Sequence, residues 1–207
     1  MLENFFKKFD AYYVGGYVRD FIRGYESSDI DIAVDAALED FLPFFKNYHP
    51  HVIIKYENCS FSAQGKHYSI SRMRKDAMCD GRHARIEPVH TIEEDALRRD
   101  FTINAIYMTF DGALIDPVHG IQDLKNRIVR FIGDPKKRVK EDQLRILRYF
   151  RFCALLGVML DDDLLKVFED YCPITTISKE RIQEEYQKLL KLNPTGDFLK
   201  KAQRFYL

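Results

Sequence analysis

Residues 15–34 read GGYVRDFIRGYESSDIDIAV, and this stretch decides the fold class. A Gly-Gly turn precedes a segment typical of a short helix. The segment DIDIAV then alternates and becomes apolar, as a strand that enters a buried sheet does. Residues i and i+2 of a strand lie on one face, about 6.6 Å apart at their Cα atoms. The pattern therefore predicts a pair of carboxylates on one face of a sheet, from Asp29 and Asp31.

The paired aspartates predict chemistry on a phosphate. Adjacent carboxylates repel each other unless a cation lies between them, and a divalent metal, or a pair about 3.5–4 Å apart, supports in-line displacement at phosphorus. Gly15 and Gly16 let the backbone approach a bulky anion closely, with the following N–H groups facing its phosphates. A solvated strand end is the alternative for an isolated Asp-x-Asp pair, but the spacing from GGxVRD favours a metal and nucleotide site.

Length and charge restrict the class of protein. A chain of 207 residues with 46% hydrophobic residues can form one large or two small packed domains. Its formal net charge of zero argues against a wholly basic nucleic-acid coat protein. The region from residue 125 to residue 151 is nevertheless rich in cations, which favours an anionic partner; a solvated helix face is the alternative. These cations are Lys125, Arg127, Arg130, Lys136, Lys137, Arg138, Lys140, Arg145, Arg148 and Arg151.

The sequence indicates neither a disulfide framework nor a membrane segment. The four cysteines form no CxxC pair and no zinc-binding spacing, so we expect thiols of a reducing compartment. The longest apolar run, residues 152–160, is too short to cross a bilayer. The N-terminal sequence MLENFFKKFD does not resemble a signal peptide. We therefore expect a cytoplasmic protein with no membrane partner.

The hydrophobic pattern divides the chain into a mixed α/β unit followed by an all-helical unit. The pattern predicts helices at 2–9, 18–24 and 38–47, and strands at 11–14, 30–34, 52–56, 60–63, 67–73 and 114–115, with a strand or a buried helix at 103–110. Residues 74–88 are charged and poorly periodic, and we expect a mobile loop there. Helices are predicted from residue 139 almost to the end, with the unit boundary near residues 133–135.

A second group of polar residues lies in RRDFTINA, residues 98–105. Arginine binds phosphate oxygens in a bidentate manner, and Asp and Asn side chains suit ribose hydroxyls. Arg99, Asp100 and Asn104 are therefore candidates for nucleotide binding. A surface cluster of ion pairs is the alternative for the same residues.

A third group lies in EDQLRILRYFRF, residues 141–152. If this segment is one helix, Asp142, Arg145 and Arg148 lie with Glu141 within an arc of roughly 120°, opposite an apolar face. Such a charged face can be a ladder of i,i+3 and i,i+4 ion pairs. Alternatively, an Asp acceptor beside an Arg donor matches the Watson–Crick edge of a nucleobase, and unpaired partners would then reject the wrong bases.

The motifs GGYVRD with DID, RRDFTINA and EDQLRILRYFRF, in their order along the chain, resemble those of one family. It comprises the class II tRNA nucleotidyltransferases, or CCA-adding enzymes, and the related bacterial poly(A) polymerases in the DNA polymerase β superfamily. The motif DPVHG, residues 116–120, resembles the hinge-region motif of that family. The segment ISKERI, residues 177–182, with Glu184 and Glu185, resembles its last, helix-stabilising motif. The resemblance covers the chain from about residue 12 to residue 190.

The resemblance implies an α/β (α+β) nucleotidyltransferase head over residues 1–134 and an all-helical, nucleotide-selecting neck over residues 135–207. It implies that the catalytic residues Asp29 and Asp31 bind Mg²⁺. The nucleotide would be bound by Gly15, Gly16, Arg19, Arg99, Asp100, Asn104, Asp142, Arg145 and Arg148, of which Asp100 and Asn104 would face the ribose, Arg99 the phosphates, and Asp142 and Arg145 the base. Residues 74–88 match the flexible loop with which such enzymes switch from C to A addition.

The implied activity is the addition of C, A or both, from CTP and ATP, to the 3′ end of tRNA. Poly(A) synthesis and a fragment that only binds nucleotide or RNA are the alternatives. Ser69 occupies the position where the family commonly carries a third acid. The chain stops at Leu207, inside a predicted helix, whereas family members continue into body and tail domains. We therefore expect a shortened form, or one piece of a split enzyme whose second chain supplies the body and tail.

Overall fold

The computed structural model describes residues 2–79, 84–172, 174 and 176–206. These residues form two compact units, the first from residues 2–78 and 84–122, and the second from residues 123–206. The strands are β1 (Ala11–Val14), β2 (Asp29–Val34), β3 (His51–Ile53), β4 (Asn58–Ala63), β5 (Lys66–Arg72), β6 (Arg74–Cys79), β7 (Ala84–Pro88), β8 (Tyr107–Met108) and β9 (Leu114–Ile115). The helices are α1 (Leu2–Lys8), α2 (Gly16–Ile22), α3 (Leu38–Phe41), α4 (Ile92–Leu97), α5 (Gly120–Lys125), α6 (Pro135–Glu141), α7 (Leu144–Leu156), α8 (Asp162–Glu169), α9 (Lys179–Leu190) and α10 (Gly196–Tyr206).

The first unit is built on a mixed sheet with β2 at its centre, as the alternating apolar pattern of DIDIAV predicts. Within the described residues this sheet has seven strands in the order β3-β4-β5-β2-β1-β8-β9. β2 pairs in parallel with β5 and antiparallel with β1. Ile30, Ile32 and Val34 are buried in this sheet. The predicted α/β fold class is therefore confirmed.

An aromatic core packs on one side of this unit. Phe5 of α1 lies 5.0 Å from Phe45, and Phe45 lies 5.1 Å from Phe61 of β4, measured between ring centroids. Phe61 stacks on Tyr68 of β5 at 5.1 Å. Buried aromatic rings at these separations contribute both large apolar area and favourable ring geometry. This core anchors β4 and β5 beside β2 and so supports the strand that carries the paired aspartates.

Several predicted elements of the first unit are wrong in type or length. The loop expected at residues 74–88 is largely a second sheet of two strands, β6 and β7, and its residues 80–83 lie outside the described residues. Charged residues fit this small sheet because pairing satisfies the backbone whichever side chains face water. The helix expected at 38–47 ends at Phe41 and continues as short 3₁₀ turns, the first of which contains Pro43.

The second unit is helical from α6 to α10. Phe150 of α7 packs 5.1 Å from Phe205 of α10, and Phe168 of α8 lies 5.3 Å from Tyr149. The hydroxyl of Tyr206 donates to the carbonyl of Leu147 at 2.8 Å, which joins α10 to α7. In the part of the chain that the structure describes, no helix is long and apolar enough to span a membrane.

The prediction of one continuous helix over residues 141–152 is wrong. α6 ends at Glu141 and α7 begins at Leu144, with Asp142 in an extended conformation between them. The Asp142 carboxylate accepts the Leu144 N–H at 3.1 Å, which satisfies one of the backbone donors at the start of α7. The compact units divide between Gln122 and Asp123, within α5, whereas the sequence placed the head–neck boundary at residues 134 and 135.

Candidate functional site

The predicted catalytic aspartates lie on β2 as expected. Asp29 is exposed at the first position of the strand and Asp31 is half-buried two residues later. Asp31 lies opposite Val14 of β1 and Ser69 of β5. Because side chains alternate along a strand, Asp29 and Asp31 belong to the same face of the sheet. Among the described residues, no ion pair involves Asp29.

Gly15 is required beside Asp31 for a steric reason and a conformational reason. Its φ angle of 73° lies in the left-handed region that favours glycine. A Cβ atom at position 15 would lie 3.0 Å from Oδ2 of Asp31, closer than side chains normally approach. The absence of a side chain thus keeps the Asp31 carboxylate accessible from the turn that precedes α2.

Arg19 joins the first motif to the second through buried hydrogen bonds. Its Nη1 donates to Oδ1 of Asn104 at 2.7 Å, and Nδ2 of Asn104 donates to Oδ1 of Asp100 at 3.0 Å. All three residues are buried. Asp100 also accepts the N–H of Phe101 at 2.8 Å. The structure therefore brings the motifs GGYVRD and RRDFTINA together in one chain of hydrogen bonds. Arg19 and Asn104, which form the link between them, are 85 positions apart in the sequence.

Arg99 is held by a carboxylate that the sequence analysis missed. Its Nη2 donates to Oδ2 of Asp95 at 2.8 Å, and its Nε donates to the Tyr107 hydroxyl at 3.1 Å. Arg98 donates to Oδ1 of the same Asp95 at 2.8 Å. Both arginines therefore form the ion pairs that the alternative predicted, but these pairs centre on Asp95, which has 0% exposure, and not on the surface. Nucleotide binding by Arg99 stays a prediction.

The electrostatic environment of Asp95 reflects this pairing. Burial alone raises the pKa of Asp95, but Arg99, Arg98 and the hydrogen bond from Tyr107 outweigh burial, so the pKa of this carboxyl lies well below its usual range. Burial, followed by the proximity of Arg98, lowers the pKa of Arg74 to about 10. Asp95 is thus charged at neutral pH and matched to the arginines around it.

Ser69 lies beside Asp31, at the position where the sequence resemblance implied a third acid. Asp31 and Ser69 are direct partners in the parallel pairing of β2 and β5. The amide of Asn58 donates to the Ser69 hydroxyl at 3.1 Å and to the Ser71 hydroxyl at 2.8 Å. Position 69 therefore supplies a neutral oxygen, fixed in orientation by Asn58, beside one of the paired carboxylates.

These residues fit a hard divalent cation. Mg²⁺ prefers oxygen ligands and is usually bound by one or two carboxylates together with water and substrate phosphates. Asp29 and Asp31 offer two carboxylates on one face, and Gly15 leaves the Asp31 oxygen approachable. Among the described residues there is no cluster of three or more His, Cys, Asp or Glu side chains that could hold a metal ion by itself. With Asp29 and Asp31 as the protein ligands, water and substrate phosphates would fill the remaining positions of the cation.

The motif DPVHG forms the start of α5 and packs against the second motif. The Asp116 carboxylate accepts the N–H groups of Gly120 at 2.7 Å and Ile121 at 2.8 Å, which caps the helix. A Cβ atom on Gly120 would lie only 2.1 Å from the carbonyl oxygen of Thr102. Glycine at position 120 therefore allows α5 to begin in contact with the backbone of RRDFTINA.

In the second unit, Arg145 is buried and oriented by α6. Its Nη1 donates to the carbonyl of Arg138 at 2.7 Å and to Oε2 of Glu141 at 2.8 Å. Asp142 caps α7 and lies 3.7 Å from Nη2 of Arg181. The predicted ladder of ion pairs is therefore present for Arg145 and Glu141, but it is partly buried and not a solvated face.

Arg148 is half-buried, and its guanidinium lies 5.4 Å from the centroid of the Phe152 ring. The next arginine, Arg151, donates to Glu185 of α9 at 2.7 Å, and Glu185 is 3% exposed. Burial raises the pKa of Glu185, but the charge and hydrogen bond of Arg151, with Arg148 and Lys188, outweigh burial, so the pKa is lowered. The ion pair of Arg151 and Glu185 joins α7 to α9, which gives Glu185 a structural role.

The basic region is less open than its sequence suggests. Arg130 pairs with Asp123 at 2.9 Å, and Arg138 and Arg145 both pair with Glu141. The remaining exposed cations of this region are Lys125, Arg127, Lys136, Lys137 and Lys140.

Comparison with known proteins assigns a family to this fold and site. The sequence profile of the family described as "Poly A polymerase head domain" matches residues 11–130, more than half of the chain. The chain belongs to this family. The matched residues include the paired aspartates, the Gly15 turn and the polar chain from Arg19 to Asp100.

The chain is also similar to individual proteins of known name and structure. The chain is 36% identical over 200 residues to the mitochondrial CCA tRNA nucleotidyltransferase 1 of Danio rerio, a match that covers 93% of this chain and 46% of that protein. A crystal structure of the Bacillus stearothermophilus CCA-adding enzyme in complex with CTP superimposes with a TM-score of 0.77 at 36% identity, covering 94% of this chain and 46% of that one. A tRNA nucleotidyltransferase complexed with a primer tRNA and an incoming ATP analog gives a TM-score of 0.76 at 25% identity, covering 98% and 60%. The chain spans about half the length of the curated relatives it matches.

Proposed function

We propose that this chain is the catalytic portion of a nucleotidyltransferase that adds C, A or both to the 3′ end of tRNA. The observation that carries the proposal is the geometry around β2. Asp29 and Asp31 share one face, Gly15 leaves Asp31 accessible, and the buried chain of Arg19, Asn104 and Asp100 belongs to the same unit. Similarity to enzymes bound to CTP, and to an ATP analog with primer tRNA, supports the substrates.

In the proposed reaction, the 3′-hydroxyl of the RNA attacks the α-phosphate of the nucleotide. A new bond forms between the 3′ oxygen and the α-phosphorus, and the bond from the α-phosphorus to the oxygen that bridges to the β-phosphate breaks. Pyrophosphate leaves, and the proton of the 3′-hydroxyl passes to water. Asp29 and Asp31 would hold Mg²⁺, which when bound supplies Lewis-acid activation of the hydroxyl and alignment of the phosphate. Gly15 and Gly16 would allow the triphosphate to approach the backbone.

The buried polar chain would hold the ribose. The hydrogen bond from Arg19 fixes the orientation of the Asn104 amide, which in turn donates to Asp100. A polar network of this kind is fixed before the substrate arrives, so little ordering is needed on binding. Arg99 would act near the phosphates while its ion pair with Asp95 fixes its position.

The second unit would select the base through Asp142 and Arg145, with Arg148 close by. Glu141 and the carbonyl of Arg138 fix the orientation of the Arg145 guanidinium, as a residue that reads donors and acceptors requires. The exposed cations Lys125, Arg127, Lys136, Lys137 and Lys140 would contact RNA phosphates. We retain the head over residues 1–134 and the neck over residues 135–207 as a functional division.

Poly(A) synthesis remains a second candidate function because the matching family is described as the poly A polymerase head domain. A fragment that binds nucleotide or RNA without catalysis, and needs a second chain with body and tail, is the third. We propose the cytoplasm as the location, because Cys59 and Cys153 are buried free thiols, as is typical of a reducing compartment.

Incubation of the chain with Mg²⁺, radiolabelled CTP or ATP, and tRNA that lacks its terminal CCA tests the proposal when the products are read at nucleotide resolution. Ordered addition of C, C and A supports CCA addition. A single A on tRNA ending in CC supports A-only addition, and long A tracts on any RNA support poly(A) synthesis. No incorporation, in the presence of bound CTP, would leave only the binding function.

A further inference from the structure

Asp95 of α4 accepts hydrogen bonds from two arginine side chains, one tyrosine hydroxyl and one backbone N–H. It accepts hydrogen bonds from Nε of Arg98 at 2.8 Å, from Nη2 of Arg99 at 2.8 Å and from the Tyr107 hydroxyl at 2.7 Å. It also accepts the backbone N–H of Arg74 at 3.2 Å. Its carboxylate is completely buried. Both oxygens of this carboxylate are therefore engaged by groups from distant parts of the chain.

These contacts join elements of different kinds. Arg74 is the first residue of β6, in the small second sheet, and Tyr107 is the first residue of β8, in the large sheet. Arg98 and Arg99 lie immediately after α4 and lead directly into Asp100, which belongs to the proposed ribose-binding chain. Asp95 therefore lies where the small sheet, the large sheet and the nucleotide-binding motif meet within the first unit.

Charge explains why this junction depends on Asp95. Arg74, Arg98 and Arg99 lie close enough to act on one another electrostatically. The buried Asp95 carboxylate offsets this repulsion. Without it, the three arginines would repel one another in a poorly solvated part of the unit, with no carboxylate to compensate. The arginines would then separate, and the backbone that carries Asp100 would shift with them. A displacement of about 1 Å near a reacting substrate can cost roughly 100-fold in rate.

We propose that Asp95 is a positioning residue for nucleotide binding, because it fixes Arg98, Arg99 and the start of β6 in one arrangement and thereby aligns Asp100 and Asn104 with the ribose. This inference rests on the proposed function. It assigns no contact between Asp95 and the substrate. It predicts that the small sheet and the ribose-binding residues respond together when Asp95 is changed.

The test compares Asp95→Asn with Glu93→Gln, an exposed position on the same helix. In the folded Asp95→Asn variant, the KM for CTP and ATP should rise about tenfold, while the KM for tRNA stays within about twofold. Hydrogen exchange at the Arg74 amide should become faster in Asp95→Asn alone. A residue that only stabilises the fold would lower kcat in proportion to the folded fraction and leave both KM values unchanged.

Tyr107→Phe covers the case in which Asp95→Asn does not fold. It removes one hydroxyl that donates to Asp95 and accepts from Arg99, and keeps the ring. Its KM for the nucleotide should rise about two- to fivefold. Folded variants whose nucleotide KM equals that of Glu93→Gln would overturn the inference.

Equilibrium binding of CTP separates this inference from the proposed function. If the wild type binds CTP but adds no nucleotide, the proposed activity fails. Weaker CTP binding by Asp95→Asn or Tyr107→Phe would still support the positioning role, and equal binding would overturn it. If the wild type binds no CTP, both proposals are wrong.

Discussion

Asp29 and Asp95 are both aspartates of the first unit, yet Asp29 is exposed at the start of β2 and Asp95 has no exposed surface. Asp95 is surrounded by guanidinium and hydroxyl donors, whereas Asp29 lies two positions from a second carboxylate on the same face. In the first arrangement the protein itself supplies cations that pair with the carboxylate. The second places two carboxylates on one face of β2, an arrangement that a bound cation would stabilise.

The comparison of Asp95 with Asp29 shows that structural carboxylates and candidate catalytic carboxylates differ in the groups that surround them. A buried acid with matched cations contributes to folding and is strongly destabilising to remove. A pair of carboxylates outside the core, one exposed and one half-buried, contributes less to folding and can bind a metal and a phosphate. Substitution of Asp95 should therefore lower stability strongly, whereas substitution of Asp29 or Asp31 should lower activity strongly and stability little.

The largest effect is expected for Asp29→Asn and Asp31→Asn. Loss of either ligand removes several kcal/mol of transition-state stabilisation, so nucleotide addition should fall on the order of 1,000-fold or more. The unfolding free energy should change by less than about 0.5 kcal/mol, because these positions are not in the core. Initial rates of CTP incorporation and urea denaturation check both parts, with the exposed Glu26→Gln as control. Near-normal rates in either variant would contradict the metal assignment.

Asp95→Asn should lower the unfolding free energy by about 3–5 kcal/mol at pH 7, because it removes a buried carboxylate and leaves two half-buried arginines without their partner. Since the pKa of Asp95 is depressed in the folded state, its stabilisation is present above the unfolded value of about 3.9 and is lost as the pH falls below it. The wild type should therefore lose more stability than Asp95→Asn between pH 5 and about pH 2.

Denaturant unfolding at each pH measures this difference. The exposed variant Asp163→Asn provides the control for the general loss of ion pairs at low pH. Parallel pH curves for the wild type and Asp95→Asn would show that Asp95 is not charged in the folded protein.

Gly120→Ala should destabilise the first unit by about 1–3 kcal/mol, because its Cβ would lie 2.1 Å from the backbone oxygen of Thr102. Gly196→Ala is the matched control, since nothing lies within 4 Å of its Cβ position at the start of α10. That control should be neutral or stabilising by up to about 1 kcal/mol. Thermal unfolding of both variants distinguishes them, and equal melting temperatures would rule out close packing of α5 on RRDFTINA.

A smaller effect is expected for Arg145→Ala on nucleotide choice. Each buried donor or acceptor that is left unpaired costs about 1–3 kcal/mol, so the preference for CTP and ATP over UTP and GTP should fall about tenfold or more. Arg138→Ala is the matched control variant. It removes the ion pair between Arg138 and Glu141 but keeps the backbone carbonyl of residue 138 to which Arg145 donates. Unchanged rejection of UTP and GTP by folded Arg145→Ala would exclude selection of the base by this residue.

Local patterns predicted the elements around the first motif well. The strand at residues 11–14 and the strand that begins at Asp29 were recovered within one residue, because turn glycines and apolar alternation mark them. The helix after the Gly-Gly turn begins at Gly16, two residues earlier than expected. The roles assigned to the motif residues stay predictions.

The sequence could not reveal the junction at Asp95. Its partners Arg74 and Tyr107 lie 21 and 12 positions away, and such pairs leave no periodic signal. The break at Asp142 was missed for a different reason. The helical period continues through this segment, but the aspartate side chain competes for a backbone N–H and ends the helix. The strands β6 and β7 were missed because their residues are charged.

Titration of Mn²⁺ into the isotopically labelled chain tests the central contrast most directly, with paramagnetic broadening of assigned amide signals as the readout. The account predicts that broadening is strongest at Gly15 and along β2, and that Asp31→Asn abolishes it while Glu26→Gln does not. Broadening centred on another part of the chain, or unchanged in Asp31→Asn, would contradict the assignment of Asp29 and Asp31 as the site that requires an added cation.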